Sequence, residues 1–365
     1  MNRIVFAGGG TAGHIEPALA VAREWKRKHP DSKITFLGTS QGLETRLVPE
    51  AGFTLALITK VRVSRTLSPW LLVLPFTLVR AVAQTLAILK GADLLIGFGG
   101  YVSGPAYFAA AMRRIPIVIH EANAHPGIAN RIGSLLTPHN AVAYHVNSGK
   151  LSQALQSGLP LKEDVASAFT YASKDWFSAR HESKSKLGFD PHKPLILIFG
   201  GSQGSQGINS VITTTREDLL AKGFQLFHGV GAHNQLPQSK KGYQASAYIS
   251  DMSTAYLAAD LIISRSGAVT CSEVNTLGRY ALFIPLPVGN GEQELNAQSL
   301  VNESRAEIVE QREFTPQWLL ANIDRLLEEA SLAPVAGSHR DMDAASKIVA
   351  LMEFALHEFG LNGGK

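Results

Sequence analysis

A glycine-rich turn near the start of the chain places a histidine where a predicted strand passes into a predicted helix. The stretch is FAGGGTAGHIEPALAVA, residues 6–22, with His14 at the bend. Gly8, Gly10 and Gly13 match the spacing G-x-G-x-x-G, which lets backbone N–H groups and a helix N-terminus approach a phosphate. A histidine side chain titrates near pH ~6.5, so His14 could instead accept a proton from an alcohol. The turn therefore indicates a dinucleotide site or a catalytic base.

A dinucleotide site also needs an acidic residue at the end of the second strand, where it holds the ribose. Here that strand ends in FLGTSQG, Asp31 precedes it and Glu44 lies well beyond it. The incomplete fingerprint favours a general base at His14. A histidine that only bonds the backbone at the helix N-terminus remains the alternative.

Two further stretches combine turns with polar groups. GFGGYVSGP, residues 97–105, holds four glycines within eight residues, which predicts either tight helix–sheet packing or an anionic substrate at a helix N-terminus. HEANAHPGIANRIG, residues 120–133, places His120, Glu121 and His125 near a strand end. Because no second pair shows the spacing of metal ligands, we predict no metal site.

The stretch richest in candidate groups is ISRSGAVTCSE, residues 263–273. It predicts a strand, an N-cap at Ser266–Gly267 and a helix over 268–277, whose unpaired N–H groups could hold a diphosphate. Glu273 lies either on a solvated helix face or against vicinal ribose hydroxyls. The glycine loop VGNGEQELNAQ, residues 288–298, then enters a helix with amide side chains, which suit sugar hydroxyls.

Short apolar runs alternate with helical patterns and must position these groups. This rhythm predicts parallel sheets with sites at the carboxyl ends of their strands. Residues 155–193 interrupt it and predict a linker with one short helix. The predicted strands are 3–8, 33–38, 94–99, 116–121, 194–199, 224–229, 245–249, 260–263 and 280–284, and the predicted helices include 17–28, 43–51, 70–90, 104–113, 127–136 and 344–359.

Length and composition limit the class of protein. At 365 residues two domains are the default, and the single cysteine, Cys271, excludes an internal disulfide and fits a reducing compartment. The first residues lack the pattern of a secretory signal, so we expect a cytoplasmic chain. A net charge of +4 is too small to indicate nucleic acid as a partner.

A basic apolar segment lies between residues 51 and 92, which contain no Asp or Glu. Its uncharged apolar part is only about a dozen residues long, against roughly 20 needed to cross a bilayer. Two interpretations remain, an ordinary core helix with a basic face and an interfacial helix on anionic lipid. The residues that would touch lipid are Trp70, Leu71, Leu74, Phe76 and Arg80.

Six of these stretches follow one another in the order of the motifs of a known family. GGGTAGHIEPALA, GFGGYVSGP, HEANAHPGIANR, FGGSQGS, SRSGAVTCSE and GEQELNAQ resemble the MurG family of N-acetylglucosaminyltransferases. The resemblance implies a GT-B fold, α/β with two Rossmann-like parallel-sheet domains facing a cleft. It implies an acceptor- and membrane-facing domain over 1–160, a UDP-GlcNAc-binding domain over 161–343, and a helix over 344–360 that packs back on the first domain.

The implied reaction is an inverting transfer from UDP-GlcNAc to the 4-hydroxyl of the muramoyl sugar of lipid I, which gives lipid II without a metal or other cofactor. His14 is the implied base. The implied ligands of UDP-GlcNAc are Thr11, Ala12, Gly13, Asn123, Lys162, Ser202, Ile249, Ala268, Val269, Thr270, Glu273, Gln293 and Asn296. The implied ligands of the acceptor diphosphate are Gly99, Gly100, Tyr101, Ser103 and Gly104.

The resemblance further implies a peripheral position on the cytoplasmic side of the membrane, on its anionic surface, with partners among cell-wall synthesis or division proteins. Two positions depart from the family. Lys162 stands where members usually carry arginine, which removes the planar fork needed for a bidentate contact. Glu292–Gln293 replaces a pair of glutamines.

Overall fold

The computed structural model describes residues 2–61, 70–201, 203–287 and 291–361, apart from the side chains of residues 70–73. The chain divides into two compact units. Unit 1 comprises residues 1–162 and 341–365, and unit 2 comprises residues 163–340. Each unit is built around its own sheet, in which all strand pairs are parallel.

The sheet of unit 1 has the strand order β3-β2-β1-β4-β5-β6-β7 within the described residues. Its strands are β1 (Arg3–Gly8), β2 (Lys33–Gly38), β3 (Thr54–Leu57), β4 (Leu94–Gly99), β5 (Ile117–Glu121), β6 (Asn140–Val142) and β7 (Leu155–Gln156). Its helices are α1 (Ala12–Lys28), α2 (Glu44–Glu50), α3 (Trp70–Ile88), α4 (Ser103–Met112), α5 (Ile128–Gly133) and the last helix of the chain, α13 (Ala344–Leu361), with a short 3₁₀ helix at Lys150–Gln153.

Strand β1 shows why this sheet is covered on both faces. Its side chains alternate, so Ile4 and Phe6 join a core with Trp25 of α1, while Val5 joins a second core with Tyr107 of α4. A strand buried on both faces is a continuous apolar run, which is how the sequence predicts it.

Helix α13 returns the chain to unit 1 and completes the first of these cores with Ile348, Val349 and Met352. Polar contacts hold it beside α1, since Ser346 Oγ donates to Glu24 at 3.0 Å and His29 lies 2.8 Å from Glu353.

The sheet of unit 2 has the order β10-β9-β8-β11-β12-β13 within the described residues. Its strands are β8 (Leu195–Phe199), β9 (Gln225–Gly229), β10 (Tyr243–Ser246), β11 (Leu261–Ser264), β12 (Ala281–Phe283) and β13 (Ala306–Ile308). Its helices are α6 (Glu163–Ala172), α7 (Trp176–Lys186), α8 (Gln206–Ala221), α9 (Met252–Ala258), α10 (Ala268–Thr276), α11 (Glu292–Asn302) and α12 (Pro316–Leu332). In both sheets the first strand of the unit lies centrally, so the glycine turns after β1 and β8 begin at the topological switch point.

The prediction of a linker with one short helix between 155 and 193 is wrong. Two helices, α6 and α7, occupy it, and Asp175 caps α7 by accepting bonds from Phe177 N and Ser178 N at 3.0 and 3.1 Å. Most charged side chains of this stretch are exposed, although Lys184 is buried and pairs with Asp260. The apolar stripe that they obscure in the sequence is short, made by Val165, Phe169 and Ala172.

Helix α3 covers residues 70–88, within the predicted 70–90. Among the described residues, none of the helices has the length and apolar character needed to cross a membrane.

Candidate active site

The first glycine turn joins β1 to α1 and sets the direction of that helix. Gly10 has φ +96°, a left-handed conformation that favours glycine, and a Cβ there would lie 2.8 Å from the Tyr101 ring. Thr11 is the N-cap residue by its backbone conformation, and its carbonyl accepts a bond from His14 N at 3.1 Å. His14 is therefore fixed in the first turn of α1, which begins five residues before the predicted start at 17.

The imidazole of His14 packs against the second glycine turn. A Cβ added at Gly99 would lie 3.2 Å from His14 Cε1 and would crowd the ring, and the φ of +91° at this position also favours glycine. His14 Nδ1 is buried, whereas the residue as a whole keeps partial exposure. Packing therefore holds the ring in place, and the solvent-exposed atoms of the residue are atoms other than Nδ1.

Burial lowers the pKa of His14 from its ordinary value, and the charge of Glu121 and the backbone of Phe98 oppose this shift only in part. His14 is therefore neutral at physiological pH, as a group that accepts a proton must be.

We expect this shift to appear in the pH dependence of kcat/KM. A general base at His14 accepts a proton only when the imidazole is neutral, so on this hypothesis activity should persist through pH 6.5, the ordinary imidazole value, and fall only when the pH drops through the lower pKa. Initial rates measured between about pH 4 and 9 check this. An acidic limb centred at or above 6.5 would contradict the lowered pKa.

The second glycine turn interlocks with the first. Gly100 has φ +83°, and a Cβ there would strike the carbonyl oxygen of Gly9. Tight packing therefore explains Gly99 and Gly100. Gly104 differs, because a Cβ added there meets no atom of the described residues within 4 Å. Of the predicted acceptor ligands, Gly104 at the start of α4 leaves open space.

The other two predicted acceptor ligands in this turn behave differently. Ser103 is fully buried, and its hydroxyl lies 2.8 Å from the Ala7 carbonyl and 2.7 Å from the Gly99 carbonyl, so its side chain supports the turn from inside. Tyr101 is 44% exposed, and Lys60 Nζ lies 4.6 Å from the centre of its ring. Lys60 adds a cation that sequence reasoning did not assign to the site, although the lack of acidic residues around it was a signal.

Glu121, at the end of β5, organises the loop that follows. Its carboxylate accepts bonds from Asn123 N at 2.9 Å, Gly127 N at 3.0 Å and Asn130 Nδ2 at 2.9 Å. These bonds place Asn123, a predicted donor ligand, in a fixed turn. The described residues include no group of three His, Cys, Asp or Glu side chains arranged to hold a metal ion.

Glu44 is a site residue that sequence reasoning missed. Its side chain is fully buried beneath the first glycine turn, where Oε2 accepts from Gly10 N at 3.0 Å and Oε1 accepts from Thr39 N at 2.8 Å. The carboxylate thus takes a backbone N–H that a phosphate would use in a dinucleotide fold, and its negative charge opposes a phosphate there. This geometry favours the base over the dinucleotide interpretation of the turn.

In unit 2 the N-terminus of α10 follows β11, as predicted. Its N-cap is Gly267, which makes no side-chain cap, and Ala268, Val269 and Thr270 form the first turn of the helix. The hydroxyl of Ser266 is buried beside them and has no partner among the described residues. The dipole and these donors suit an anion such as a diphosphate.

Two of the predicted sugar and ribose ligands are already held by protein groups. Glu273 is 4% exposed, and its Oε2 accepts a bond from the Tyr256 hydroxyl at 2.9 Å. Asn296 is fully buried, with its Nδ2 3.4 Å from the Ser266 carbonyl. Glu273 therefore lies within α10, and Asn296 contacts the loop that precedes this helix.

Gln293, Ile249 and Arg265 contact the ends of neighbouring strands. Gln293 Oε1 accepts from Leu286 N at 3.0 Å, and Ile249 packs against Gly229, where a Cβ would lie 3.1 Å from Ile249 Cδ1. Arg265, which sequence reasoning missed, donates to the Ile284 carbonyl and to Ser205 Oγ at 2.9 and 2.8 Å. Arg265 thus ties three strand ends together.

The structure gives fewer contacts for the remaining predicted ligands. Lys162 belongs to unit 1, with Nζ 3.2 Å from Glu16 Oε1, so its charge is balanced there. Thr11 is exposed, and Ala12 and Gly13 are partly exposed. Ser202 lies outside the described residues, as do the side chains of Trp70 and Leu71.

Comparison with known proteins identifies the family. The family model described as Glycosyltransferase family 28 N-terminal domain matches residues 4–138, and the Glycosyltransferase family 28 C-terminal domain matches residues 195–349. The crystal structure of Acinetobacter baumannii MurG superposes with a TM-score of 0.72 at 28% identity, over 97% of this chain and 100% of that one. The prediction of two parallel-sheet domains of GT-B type is confirmed.

Curated relatives agree. A protein of Streptomyces coelicolor named UDP-N-acetylglucosamine--N-acetylmuramyl-(pentapeptide) pyrophosphoryl-undecaprenol N-acetylglucosamine transferase is 43% identical over 353 residues, 93% of this chain and 95% of its own length. A protein of Thermobifida fusca with the same name is 41% identical over 364 residues, 96% of this chain and 94% of its own. The chain therefore belongs to glycosyltransferase family 28, in its MurG branch.

Proposed function

We propose that this protein transfers N-acetylglucosamine from UDP-GlcNAc to the muramoyl sugar of lipid I, which gives lipid II for peptidoglycan synthesis. The observation that carries the proposal is the 43% identity, across 93% of the chain, to a relative named for this transfer. The N-terminus of α10 and the neutral His14 supply the two kinds of group that such a reaction needs.

His14 acts as the general base for the 4-hydroxyl of the muramoyl sugar. As that oxygen attacks C1 of the GlcNAc, its proton passes to the imidazole and UDP leaves from the opposite face, which inverts C1 in a single displacement. The lowered pKa of His14 keeps the ring unprotonated before the attack.

The residues of unit 2 hold the donor. The N-terminal turn of α10 and the buried Ser266 hydroxyl stabilise the diphosphate, and its charge increases as UDP leaves. Glu273 takes the ribose hydroxyls, Gln293 and Asn296 the sugar hydroxyls, and the backbone of Ile249 the uracil. For Lys162, the ion pair with Glu16 supports only an indirect role.

The acceptor diphosphate lies at the start of α4, over the open space at Gly104 and near Tyr101 and Lys60. Its lipid tail places the protein on the membrane surface, on the cytoplasmic side, where UDP-GlcNAc is available. Exposed apolar side chains on α3 support this position, since Phe76 is 77% and Val79 is 69% exposed beside the exposed Arg80. Cell-wall synthesis or division proteins are proposed partners there.

The test of the function is incubation with radiolabelled UDP-GlcNAc and a soluble lipid I analogue, with and without EDTA. We expect labelled disaccharide product in both samples, because no step of the proposed mechanism uses a metal ion. Binding of UDP-GlcNAc without any transfer would instead indicate a nucleotide-sugar-binding protein.

We expect Phe76→Ser with Val79→Ser to weaken binding to vesicles with anionic lipid by about ten-fold or more, because two exposed apolar side chains are lost from the contact. Vesicle cosedimentation measures this, and activity on the soluble acceptor should persist. The matched control is Phe177→Ser with Leu332→Ser, which removes side chains 67% and 79% exposed on unit 2. If both double variants and the parent bind the vesicles equally well, α3 is an ordinary surface helix that does not contact lipid.

A further inference from the structure

A buried phenol stands directly behind the predicted ribose ligand of unit 2. Tyr256 of α9 is 1% exposed, and its hydroxyl donates to Glu273 Oε2 at 2.9 Å. The two residues are 17 positions apart, and strand β11 brings their helices together. Nothing in the sequence motif around Glu273 points to this contact.

The phenol is held in place from several sides. Asp251 caps α9 by accepting from Thr254 N at 3.1 Å, and the ring of Phe199 meets the Tyr256 ring edge-on with centres 5.9 Å apart. Tyr256 therefore contacts both the end of β8 and the predicted ribose ligand Glu273.

The phenol is a permanent donor. Burial raises the pKa of Tyr256 well above its usual range, and the charge of Glu273 raises it further. A neutral hydroxyl beside a carboxylate donates a hydrogen bond to it, which is the direction of the bond from Tyr256 to Oε2.

A carboxylate that binds vicinal hydroxyls must present its oxygens in a fixed orientation, or binding has to order it first. Oε2 of Glu273 is fixed by the phenol, which also sets the direction of Oε1 because the carboxyl group is planar. We propose that Tyr256 is a positioning residue, which orients Glu273 for the ribose of the donor nucleoside diphosphate. This rests on the proposed function, in which Glu273 takes the ribose hydroxyls.

The test measures binding of two probes, UDP and its 2′,3′-dideoxy analogue, by calorimetric titration. We expect Tyr256→Phe to weaken UDP binding about ten-fold, the order expected when a hydrogen bond to a charged group is lost. The analogue has no ribose hydroxyls for Glu273, so the variant should bind it as well as the parent does. A change in this ratio of affinities reports positioning, which general loosening of the unit would not produce.

Tyr243→Phe is the matched control. Tyr243 is equally buried in unit 2 at 1% exposure, but its hydroxyl pairs with His228 Nδ1 at 3.1 Å. The ratio of its affinities for UDP and for the analogue should equal that of the parent. Thermal melts of both variants check that the unit is folded.

Glu273→Gln separates the two levels of the proposal. The parent protein should bind UDP about ten-fold more tightly than the dideoxy analogue. If Tyr256→Phe keeps this preference and Glu273→Gln loses it, the positioning role of Tyr256 is overturned and the ribose contact of Glu273 stands. Unchanged binding of both probes by Glu273→Gln would overturn the ribose contact itself. Equal weakening of UDP and analogue in Tyr256→Phe would assign Tyr256 to the fold alone.

Discussion

Replacing His14 by alanine should reduce transfer by about a hundred- to ten-thousand-fold, the range that general base catalysis supplies. The affinity for UDP-GlcNAc should stay within a few-fold, because the base acts on the acceptor hydroxyl only as the transition state forms. Rates from radiolabelled transfer and affinities from titration give the two quantities separately.

His145→Ala is the control for this variant, since His145 is an exposed histidine of the same unit, paired with Gln156 at 3.0 Å. It should retain the parent activity. Removal of the His14 ring also leaves a gap over Gly99, so a thermal melt must accompany the rates. Normal turnover by a folded His14→Ala protein would remove this histidine from the mechanism.

The second large effect is expected at Glu44. Both of its oxygens accept backbone N–H bonds, from Gly10 and Thr39, whereas a glutamine offers one oxygen and one N–H₂ donor. One backbone donor would then face another donor in a buried place, which costs about 2 kcal/mol of the free energy of unfolding. We expect Glu44→Gln to lower kcat about ten- to a hundred-fold, because the turn that carries His14 shifts.

Glu50→Gln is the matched control, since Glu50 lies on the same helix, α2, with its side chain 57% exposed. It should leave kcat and the denaturation midpoint unchanged. Glu44→Gln should leave the affinity of UDP for unit 2 unchanged, which separates a local effect on the turn from general unfolding. A Glu44→Gln enzyme with the parent kcat would contradict the positioning of the turn by this carboxylate.

The sequence predicted those elements whose physical signal is local. Strands β1 and β2 were placed to the residue, because continuous apolar runs end at glycines. Strands β6 and β13 have three residues each, too few for any periodic pattern, and they form because a neighbouring strand offers a ladder. Helix α1 begins at Ala12 rather than 17, since Pro17 lies inside the helix instead of starting it.

The candidate site divides in the same way. His14 and the α10 N-terminus were predictable because their motifs are continuous in sequence. Glu44 lies beyond the end of β2 in the sequence, and only the turn into α2 brings its carboxylate back beneath Gly10, so no local pattern points to it. Tyr256 was missed for the same reason, since its partner lies on another helix.

The return of α13 to unit 1 has a consequence for how the chain is made. Unit 2 is inserted between the two parts of unit 1, and the core around Trp25 needs Val349 and Met352 to be covered. During translation that apolar face stays open until residues 349 and 352 have been made, which happens after all of unit 2. Unit 2 can therefore complete its fold before unit 1 does, against the usual N-to-C order. The N-terminal part of unit 1 needs protection from aggregation until α13 has been synthesised.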